Sequence, residues 1–234
     1  MRTSLAKLLA AGLLLLAARA EAQHAPPRDD APRVRTPEEE QARKRSPFLM
    51  PSDGDDRYGD SPELPPWNRA SFFGITAGGR FFIYVLDRSG SMVDDGRIAR
   101  ATIELRRSVG ALRDPQRFEV IFYNDEAATM PGGPIPRPAD SHAKRMLRSW
   151  LETVEPDGGT RPRTAVLQAL ALRPDAVFLL SDGDFPDGTV EAIARANTRE
   201  IPIHCVDLAG GLAGDALPRI ARDSGGRYVS RPGP

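Results

Sequence analysis

The fold of this 234-residue chain is decided by the stretch Phe81-Phe82-Ile83-Tyr84-Val85-Leu86-Asp87-Arg88-Ser89-Gly90-Ser91-Met92. Its first six residues are continuously apolar, which indicates a strand that is covered on both faces. The polar turn that follows contains glycine. In open α/β sheets, ligands bind beyond the carboxyl ends of the strands. The turn that begins at Asp87 is therefore the first place to look for a site.

Around this stretch, apolar runs of strand length alternate with stripes of helical period from residue 71 onward. The alternation predicts an α/β domain with a doubly wound, mostly parallel six-stranded sheet flanked by helices and a short antiparallel edge strand. Phe72 to Ile75 is expected to add one short strand at the front. The further predicted strands are 118–123, 127–130 (the antiparallel edge), 176–180, 201–208 and 228–229, and the predicted helices are 98–112, 143–154, 166–170, 189–199 and 215–223.

Two further polar loops are expected at the same edge of the sheet as Asp87. The strand 176–180 ends in Ser181-Asp182-Gly183, and Pro156-Asp157-Gly158-Gly159-Thr160 precedes a short helix. Each loop alone is explained well enough as a turn, because Asp, Ser and Gly are ordinary turn formers. Together they predict a site that several loops share.

These residues resemble the metal-ion-dependent adhesion site of von Willebrand factor A domains. Asp87, Ser89 and Ser91 match the Asp-x-Ser-x-Ser motif of that family, Thr160 matches its Thr after glycines, and Asp182 matches its Asp-Gly after a hydrophobic strand. The resemblance covers residues from about 70 to 230. It implies the strand order 3-2-1-4-5-6, which places Asp87 and Asp182 on the two strands that flank the topological switch point.

The resemblance also implies a function for this site. Ser89, Ser91 and Thr160 would supply hydroxyl ligands to Mg²⁺ (or Mn²⁺ or Ca²⁺), while Asp87 and Asp182 would hold bound waters and orient the hydroxyls. Neutral ligands leave the cation electron-poor, so it favours a carboxylate from outside. The expected function is a metal-dependent protein-binding module, not an enzyme, whose partner offers an acidic residue.

Other charged residues lie near the motifs, and their expected roles differ. Asp94, Asp184 and Asp187 are expected to be solvated loop acids rather than ligands, although Asp184 is also placed to repel an acidic partner. Arg88, at the variable position of the first motif, either meets the carboxylate of a partner or points to water.

Two other functions stay open. The first is a non-catalytic subunit of a larger complex, with a purely structural metal. The second is a phosphatase-like hydrolase with Asp87 as nucleophile, which is disfavoured because that chemistry wants a second Asp where Ser89 stands. A serine hydrolase would need a nearby His, and the chain contains no G-x-x-x-x-G-K-[ST] nucleotide loop.

The N-terminal part predicts export. Residues 1–22 are expected to be a cleaved signal peptide, since Arg2 and Lys7 accompany the apolar run 8–18, which is too short to span a membrane, and small-x-small cleavage sites follow. Residues 23–68 are expected to be a disordered linker rich in Pro and charge, and 69–232 the folded domain. The predicted location is periplasmic or secreted, without a transmembrane segment in the mature chain.

Composition excludes some partners. The 32 basic and 32 acidic residues balance, so no bulk charge favours nucleic acid or an anionic membrane. Cys205 is the only cysteine, which forbids an intrachain disulfide. It lies in a predicted buried strand beside His204. We expect the Cys205 thiol to be inert and the His204 imidazole to have no second metal ligand nearby.

Overall fold

A computed structural model describes residues 68–183, 185–211 and 214–233 of the chain. The predicted signal peptide (1–22) and the predicted linker up to residue 67 lie outside the described residues. Asn68, the last residue of the predicted linker, is buried, and its carbonyl accepts a hydrogen bond from the Gly79 amide at 2.8 Å. It therefore belongs to the folded domain. None of the helices within these described ranges has the length and hydropathy needed to cross a bilayer.

The centre of the fold is a twisted sheet in the predicted order. Strands β3 (Phe81–Asp87), β4 (Arg117–Tyr123), β7 (Ala176–Ser181), β8 (Ile203–Asp207) and β9 (Tyr228–Ser230) run parallel, and the order across the sheet is β5-β4-β3-β7-β8-β9. β5 (Ala127–Thr129) is the antiparallel edge strand. A two-residue strand, β6 (Arg137–Pro138), also pairs with β4 and makes the sheet seven-stranded rather than six-stranded, because β5 covers only the far half of β4.

Helices cover both faces of this sheet, which confirms the doubly wound α/β architecture. On one face, α1 (Arg97–Ala111) and α2 (Ser141–Leu151) pack over a core that includes Tyr84 and Phe178, whose rings stack with centroids 5.2 Å apart. On the other face lie α3 (Arg163–Ala171), α4 (Thr189–Ala196) and α5 (Ala216–Asp223). α4 ends three residues before its predicted end, because Asn197 exchanges side-chain hydrogen bonds with the backbone of Ile201.

The single front strand predicted at Phe72–Ile75 is wrong. β1 (Arg69–Phe72) and β2 (Ile75–Gly78) form an antiparallel hairpin, and Phe73 and Gly74 are its turn, with φ of 49° and 83°. Two successive residues with positive φ suit the right-handed twist of a hairpin, and Gly74 adopts this conformation without a steric cost. The Phe73 amide also donates to Glu104 Oε1 of α1 at 3.0 Å, which holds the hairpin against the helix.

β4 contains a buried acid that the sequence pattern did not reveal. The Glu119 carboxylate accepts hydrogen bonds from the amides of Val120 (3.0 Å) and Ile135 (3.1 Å) and lies 3.6 Å from Nε of Arg137. Arg137 in turn donates to three carbonyls of the 130–133 loop. Burial nevertheless raises the pKa of Glu119 from its usual 4.5 to about 7.

This raised pKa makes stability depend on pH. Native Glu119 keeps its proton up to about pH 7, whereas the unfolded chain loses it near pH 4.5, so the Glu119 contribution falls as pH rises between these values. We expect a loss on the order of 2–3 kcal/mol across that range. His204, whose pKa burial lowers to about 4, contributes with the opposite sign between about pH 4 and 6.5.

The measurement therefore compares the pH dependence of stability in the wild type and in Glu119→Gln. Urea unfolding at pH 5 and pH 8 should show that Glu119→Gln loses less stability than the wild type over that interval. Identical pH profiles for the two proteins would contradict the assignment of the raised pKa to Glu119.

Candidate functional site

The first predicted loop starts from an aspartate that is fully buried. Asp87 Oδ1 accepts the Ser89 amide at 2.7 Å, and Oδ2 accepts the hydroxyls of Ser181 at 2.7 Å and Tyr123 at 3.2 Å. Burial raises the pKa of the Asp87 carboxyl, the bonds from Ser89 and Ser181 lower it, and the charge of Asp182 raises it further. Asp87 is thus a fixed support of the loop.

The two serines that follow face the aspartate of the neighbouring strand. Ser89 Oγ and Ser91 Oγ are 3.2 Å apart, and the Ser91 hydroxyl donates to Asp182 Oδ1 at 2.9 Å. This cluster joins the ends of β3 and β7, which pair directly at the switch point of the sheet. Met92 has no exposed surface and anchors the loop to the core beneath it. The hydroxyls and the carboxylate therefore share one small, supported site.

The loop that carries Thr160 joins the same site through its backbone. The Gly90 amide donates to the Gly158 carbonyl at 3.0 Å, and the Asp157 amide donates to the Arg88 carbonyl at 2.8 Å. Thr160 lies in the connection between α2 and α3, and its Oγ1 would be 3.2 Å from a Cβ placed on Gly183. All five residues predicted from the motifs, Asp87, Ser89, Ser91, Thr160 and Asp182, are brought to one edge of the sheet.

Glycine is required where the Thr160 loop passes Asp125. Gly158 has φ of 74°, and a Cβ on it would lie 2.6 Å from Asp125 Oδ2. The Gly159 amide donates to the same Oδ2 at 3.0 Å. Asp125, two residues after β4, therefore fixes the glycines that precede Thr160. Its position in the polar pair Asn124-Asp125, which follows the predicted strand 118–123, is the signal that could have identified it.

Arg88 does not simply point to water, and its contact with a partner carboxylate stays a prediction. Its Nη1 donates to the Glu155 carbonyl at 3.3 Å and its Nη2 to Asn124 Oδ1 at 3.3 Å. Asn124 also donates from Nδ2 to the Asp157 carbonyl at 2.9 Å. Arg88 thus ties the loop after β3 to the loops after β4 and α2, which fixes the walls of the site.

Arg97 is a site residue that the motifs did not indicate. Its Nη1 donates to Asp182 Oδ2 at 2.8 Å, and this hydrogen bond raises the pKa of the guanidinium. Arg97 begins α1, ten residues after Asp87 and outside the motif, so only the fold shows that it reaches Asp182. The supporting hydroxyl of Tyr123 was missed for the same reason, whereas Ser181 stands in the quoted Ser181-Asp182-Gly183 stretch and only its role as a donor to Asp87 was missed.

Asp94, Asp187 and His204 behave as solvated or structural groups. Asp94 and Asp187 are exposed, as predicted, and Asp184 lies outside the described residues. His204 is buried with Nδ1 accepting the Arg227 amide at 3.0 Å, and Cys205 is buried with a raised pKa. Within ranges 68–183, 185–211 and 214–233, no three His, Cys, Asp or Glu side chains cluster in the manner of a metal site. A site here would rely on hydroxyls.

The donor set fits a hard divalent cation. Three hydroxyls and two carboxylates lie at one edge of the sheet, and oxygen is the ligand that Mg²⁺, Mn²⁺ and Ca²⁺ prefer. The Thr160 hydroxyl makes no hydrogen bond to another described residue, and the two serine hydroxyls bond only to each other and to the carboxylates of Asp87 and Asp182. Oxygen atoms with unused lone pairs beside buried carboxylates are chemically suited to a cation.

The fold and these motifs together define a family. The model of the von Willebrand factor type A domain matches residues 85–230, more than half of the chain. The chain therefore belongs to the von Willebrand factor A domain family, whose members generally serve as protein-interaction modules. No curated relative matches the sequence.

Solved structures agree on the fold. A von Willebrand factor type A protein from Catenulispora acidiphila is 19% identical with a TM-score of 0.56, and the match covers 67% of this chain and 40% of that one. Proximal thread matrix protein 1 from the mussel byssus, with a zinc-occupied MIDAS motif, is 19% identical with a TM-score of 0.53, covering 66% of this chain and 42% of that one. This chain thus matches about two-fifths of each of these longer proteins.

Proposed function

We propose that this domain is a protein-binding module that grips a carboxylate of its partner through a divalent cation. The observation that carries the proposal is the convergence of Ser89, Ser91 and Asp182 within hydrogen-bond distance at the switch point of the sheet. Ser89, Ser91 and Thr160 would hold the cation through their hydroxyls. When bound, the cation supplies a Lewis-acidic position that an outside carboxylate can occupy.

The supports of the site have separate roles in this proposal. Asp87, held by three donors, keeps Ser89 in place from below, and Asp182 orients the Ser91 hydroxyl. Arg88 and Asp125 fix the loops that carry Ser89 and Thr160. A rigid set of this kind reduces the ordering cost of binding, because the ligand atoms are already in place.

Two features favour a partner protein as the source of the carboxylate. The site lies at the surface, where Ser91 is exposed, and Val93 beside it is 62% exposed although it is a large apolar residue. An exposed apolar side chain next to a polar centre is suited to a protein contact. The zinc-occupied motif of the mussel protein supports a divalent ion at the equivalent site, whereas the preference for Mg²⁺ is part of the proposal.

We place this function outside the cytoplasm, in the periplasm or as a secreted protein. Residues 1–22 carry the positive start, apolar run and small-residue cleavage sites of a signal peptide. A metal-dependent module at the cell exterior would meet divalent cations and acidic surfaces of other proteins. This placement rests on the sequence alone.

The two alternative functions make different demands on the site. A phosphatase-like hydrolase would need an accessible Asp87, but this carboxylate has no exposed surface and both its oxygens are bound. A purely structural metal in a subunit of a larger complex would need the same hydroxyls, so only binding experiments separate it from the proposal.

The test uses the full-length chain and proteins of the exported fraction. A partner captured by the wild type in Mg²⁺ should be released by chelator and recaptured when Mg²⁺ is restored. Ser91→Ala should lose at least about ten-fold in affinity, since one charge-assisted contact is worth about 1.5–3 kcal/mol. The affinity should also fall when one Asp or Glu of the partner becomes Asn or Gln.

Ser149→Ala is the matched control, because Ser149 is also an exposed serine but lies on α2. It should bind like the wild type. A partner that binds equally well in chelator, or equally well to Ser91→Ala, would show that the metal is structural and that the interaction surface lies elsewhere.

A further inference from the structure

Arg97 holds a permanent positive charge against the carboxylate of Asp182. Its Nη1 donates to Asp182 Oδ2 at 2.8 Å and to the Ser91 carbonyl at 3.4 Å. The Asp182 side chain is fully shielded, and only 15% of the Arg97 side chain is exposed. Charges in such a pair are screened far less by salt and water than surface charges are. The ion pair between Arg97 and Asp182 therefore contributes to the stability of the metal-free domain.

Both oxygens of Asp182 are occupied in this arrangement. Oδ1 accepts the Ser91 hydroxyl at 2.9 Å, and Oδ2 accepts Arg97. The buried carboxylate thus has its positive partner within the chain. A divalent ion that approaches the three hydroxyls meets a carboxylate whose charge is already neutralised and a guanidinium of the same sign as itself.

Arg97 also has a second partner further from the site. Its Nη2 lies 3.3 Å from Asp95 Oδ2, and the Asp95 side chain is 63% exposed. Asp95 and the following Gly96 have φ of 51° and 62°, which turn the chain so that Asp95 faces the arginine from the solvent side. The guanidinium can thus give up Asp182 and remain paired with Asp95.

We propose that Arg97 is a built-in counter-cation that competes with the divalent ion for Asp182 and thereby sets the metal affinity of the site. The inference rests on the proposed metal-dependent function and adds its regulation. Without metal, Arg97 holds the Asp182 side chain in place. With metal, the guanidinium would keep Asp95 as its partner, so its positive charge would stay near the site.

This role differs from a merely structural ion pair in the sign of its effect. Removal of a structural contact would weaken every function of the site. Removal of a competing charge weakens the metal-free domain but strengthens metal binding, because like charges at a separation of a few ångströms in a partly buried site repel substantially. We expect the site of Arg97→Gln to bind Mn²⁺ roughly ten-fold more tightly than that of the wild type.

The experiment is a Mn²⁺ titration of the full-length protein, followed by the paramagnetic resonance signal of the free ion. Four proteins are compared: wild type, Arg97→Gln, Arg97→Lys and Arg100→Gln. Arg100 lies one turn further along α1, and its hydrogen bonds to described residues go to the carbonyls of Arg231 and Pro232, so its substitution removes the same charge without touching Asp182. Arg97→Lys keeps the charge and should bind Mn²⁺ like the wild type, and Arg100→Gln should stay within about two-fold of the wild type.

Thermal unfolding of the same proteins provides a second, independent readout. Without metal, Arg97→Gln should melt below the wild type, because it leaves the shielded Asp182 carboxylate without its counter-charge. Saturating Mn²⁺ should raise its melting temperature by more than it raises that of the wild type.

The outcomes separate this inference from the function on which it rests. If the wild type binds Mn²⁺ and Arg97→Gln binds it no more tightly, the competition is wrong and the metal site stands. An equal gain of Mn²⁺ affinity in Arg100→Gln would show that the effect comes from net charge alone. That result would also overturn the role of Arg97. If none of the four proteins binds Mn²⁺, the proposed metal-dependent function itself fails.

Discussion

Saturating Mg²⁺ is expected to raise the melting temperature of the wild-type protein by about 5–10 °C and that of Asp87→Asn not at all. A ligand that binds only the native state at about 100 times its Kd stabilises that state by about 2.7 kcal/mol. For a domain of this size, each kcal/mol corresponds to roughly 2–4 °C. The expected response is therefore well above the error of a thermal scan.

Asp87 is the decisive residue because it holds the loop of the site in place although its own side chain is fully buried. Its Oδ1 holds the Ser89 amide at 2.7 Å, and its Oδ2 accepts two hydroxyls. The substitution to asparagine would keep the volume of the side chain but remove the negative charge and present an amide N–H₂ to groups that are themselves donors. Ser89 would lose its fixed position, and the cation would lose a nearby carboxylate.

Asp207 offers a matched control for this substitution. It is also a buried aspartate at the carboxyl end of a parallel strand, and it accepts the amides of Ala209 and Gly211 and the Tyr228 hydroxyl. Asp207→Asn is expected to lower the melting temperature without metal but to keep the full Mg²⁺ response. A full Mg²⁺ response in Asp87→Asn would show that the cation binds elsewhere.

The parts of the site that could be predicted from the sequence are those in which a few consecutive residues carry the information. The apolar run that ends in Asp87-Arg88-Ser89-Gly90-Ser91 indicates both a buried strand and a ligand loop, and the run that ends in Ser181-Asp182-Gly183 does the same. Since parallel strands end at one edge, the meeting of these loops follows from local patterns and one rule of sheet topology.

Arg97 could not be predicted in this way. Its contact with Asp182 spans 85 residues and depends on where α1 begins relative to β7. That position is set by the turn at Asp95 and Gly96, whose positive φ values no hydrophobic pattern encodes. The same limit applies to Glu119, because an acid inside a strand shows no sign in the sequence that Arg137 will lie against it.

The turn of the hairpin shows how a strand pattern can mislead. Phe72-Phe73-Gly74-Ile75 is apolar enough for a strand, yet the chain reverses at its centre. Phe72 and Ile75 are both buried and pair across the turn, so the apolar residues serve two short strands instead of one. The apolar pattern alone therefore does not distinguish one strand from a hairpin.

Gly226→Ala is expected to destabilise the domain by about 4 kcal/mol or more, a large fraction of the stability of an ordinary domain. A Cβ on Gly226 would lie 2.0 Å from the Ile203 carbonyl oxygen, 2.5 Å from the carbonyl carbon and 3.1 Å from the His204 amide nitrogen. These are backbone atoms of β8, so no change of side-chain rotamer relieves the overlap. The Gly226 amide also donates to the Ala221 carbonyl at 2.8 Å, which prevents the turn from moving away freely.

Gly110→Ala is the control with the opposite expected sign. Gly110 lies within the last turn of α1, and a Cβ there would meet no atom within 4 Å, so the substitution should stabilise the domain by about 0.5–1 kcal/mol through helix propensity. Urea unfolding of both variants measures the two effects. If Gly226→Ala remained within about 1 kcal/mol of the wild type, the turn before β9 could not pack against β8 as described. Because β8 pairs with β7, which ends at Ser181 immediately before Asp182, the close contact at Gly226 helps to hold the site in place.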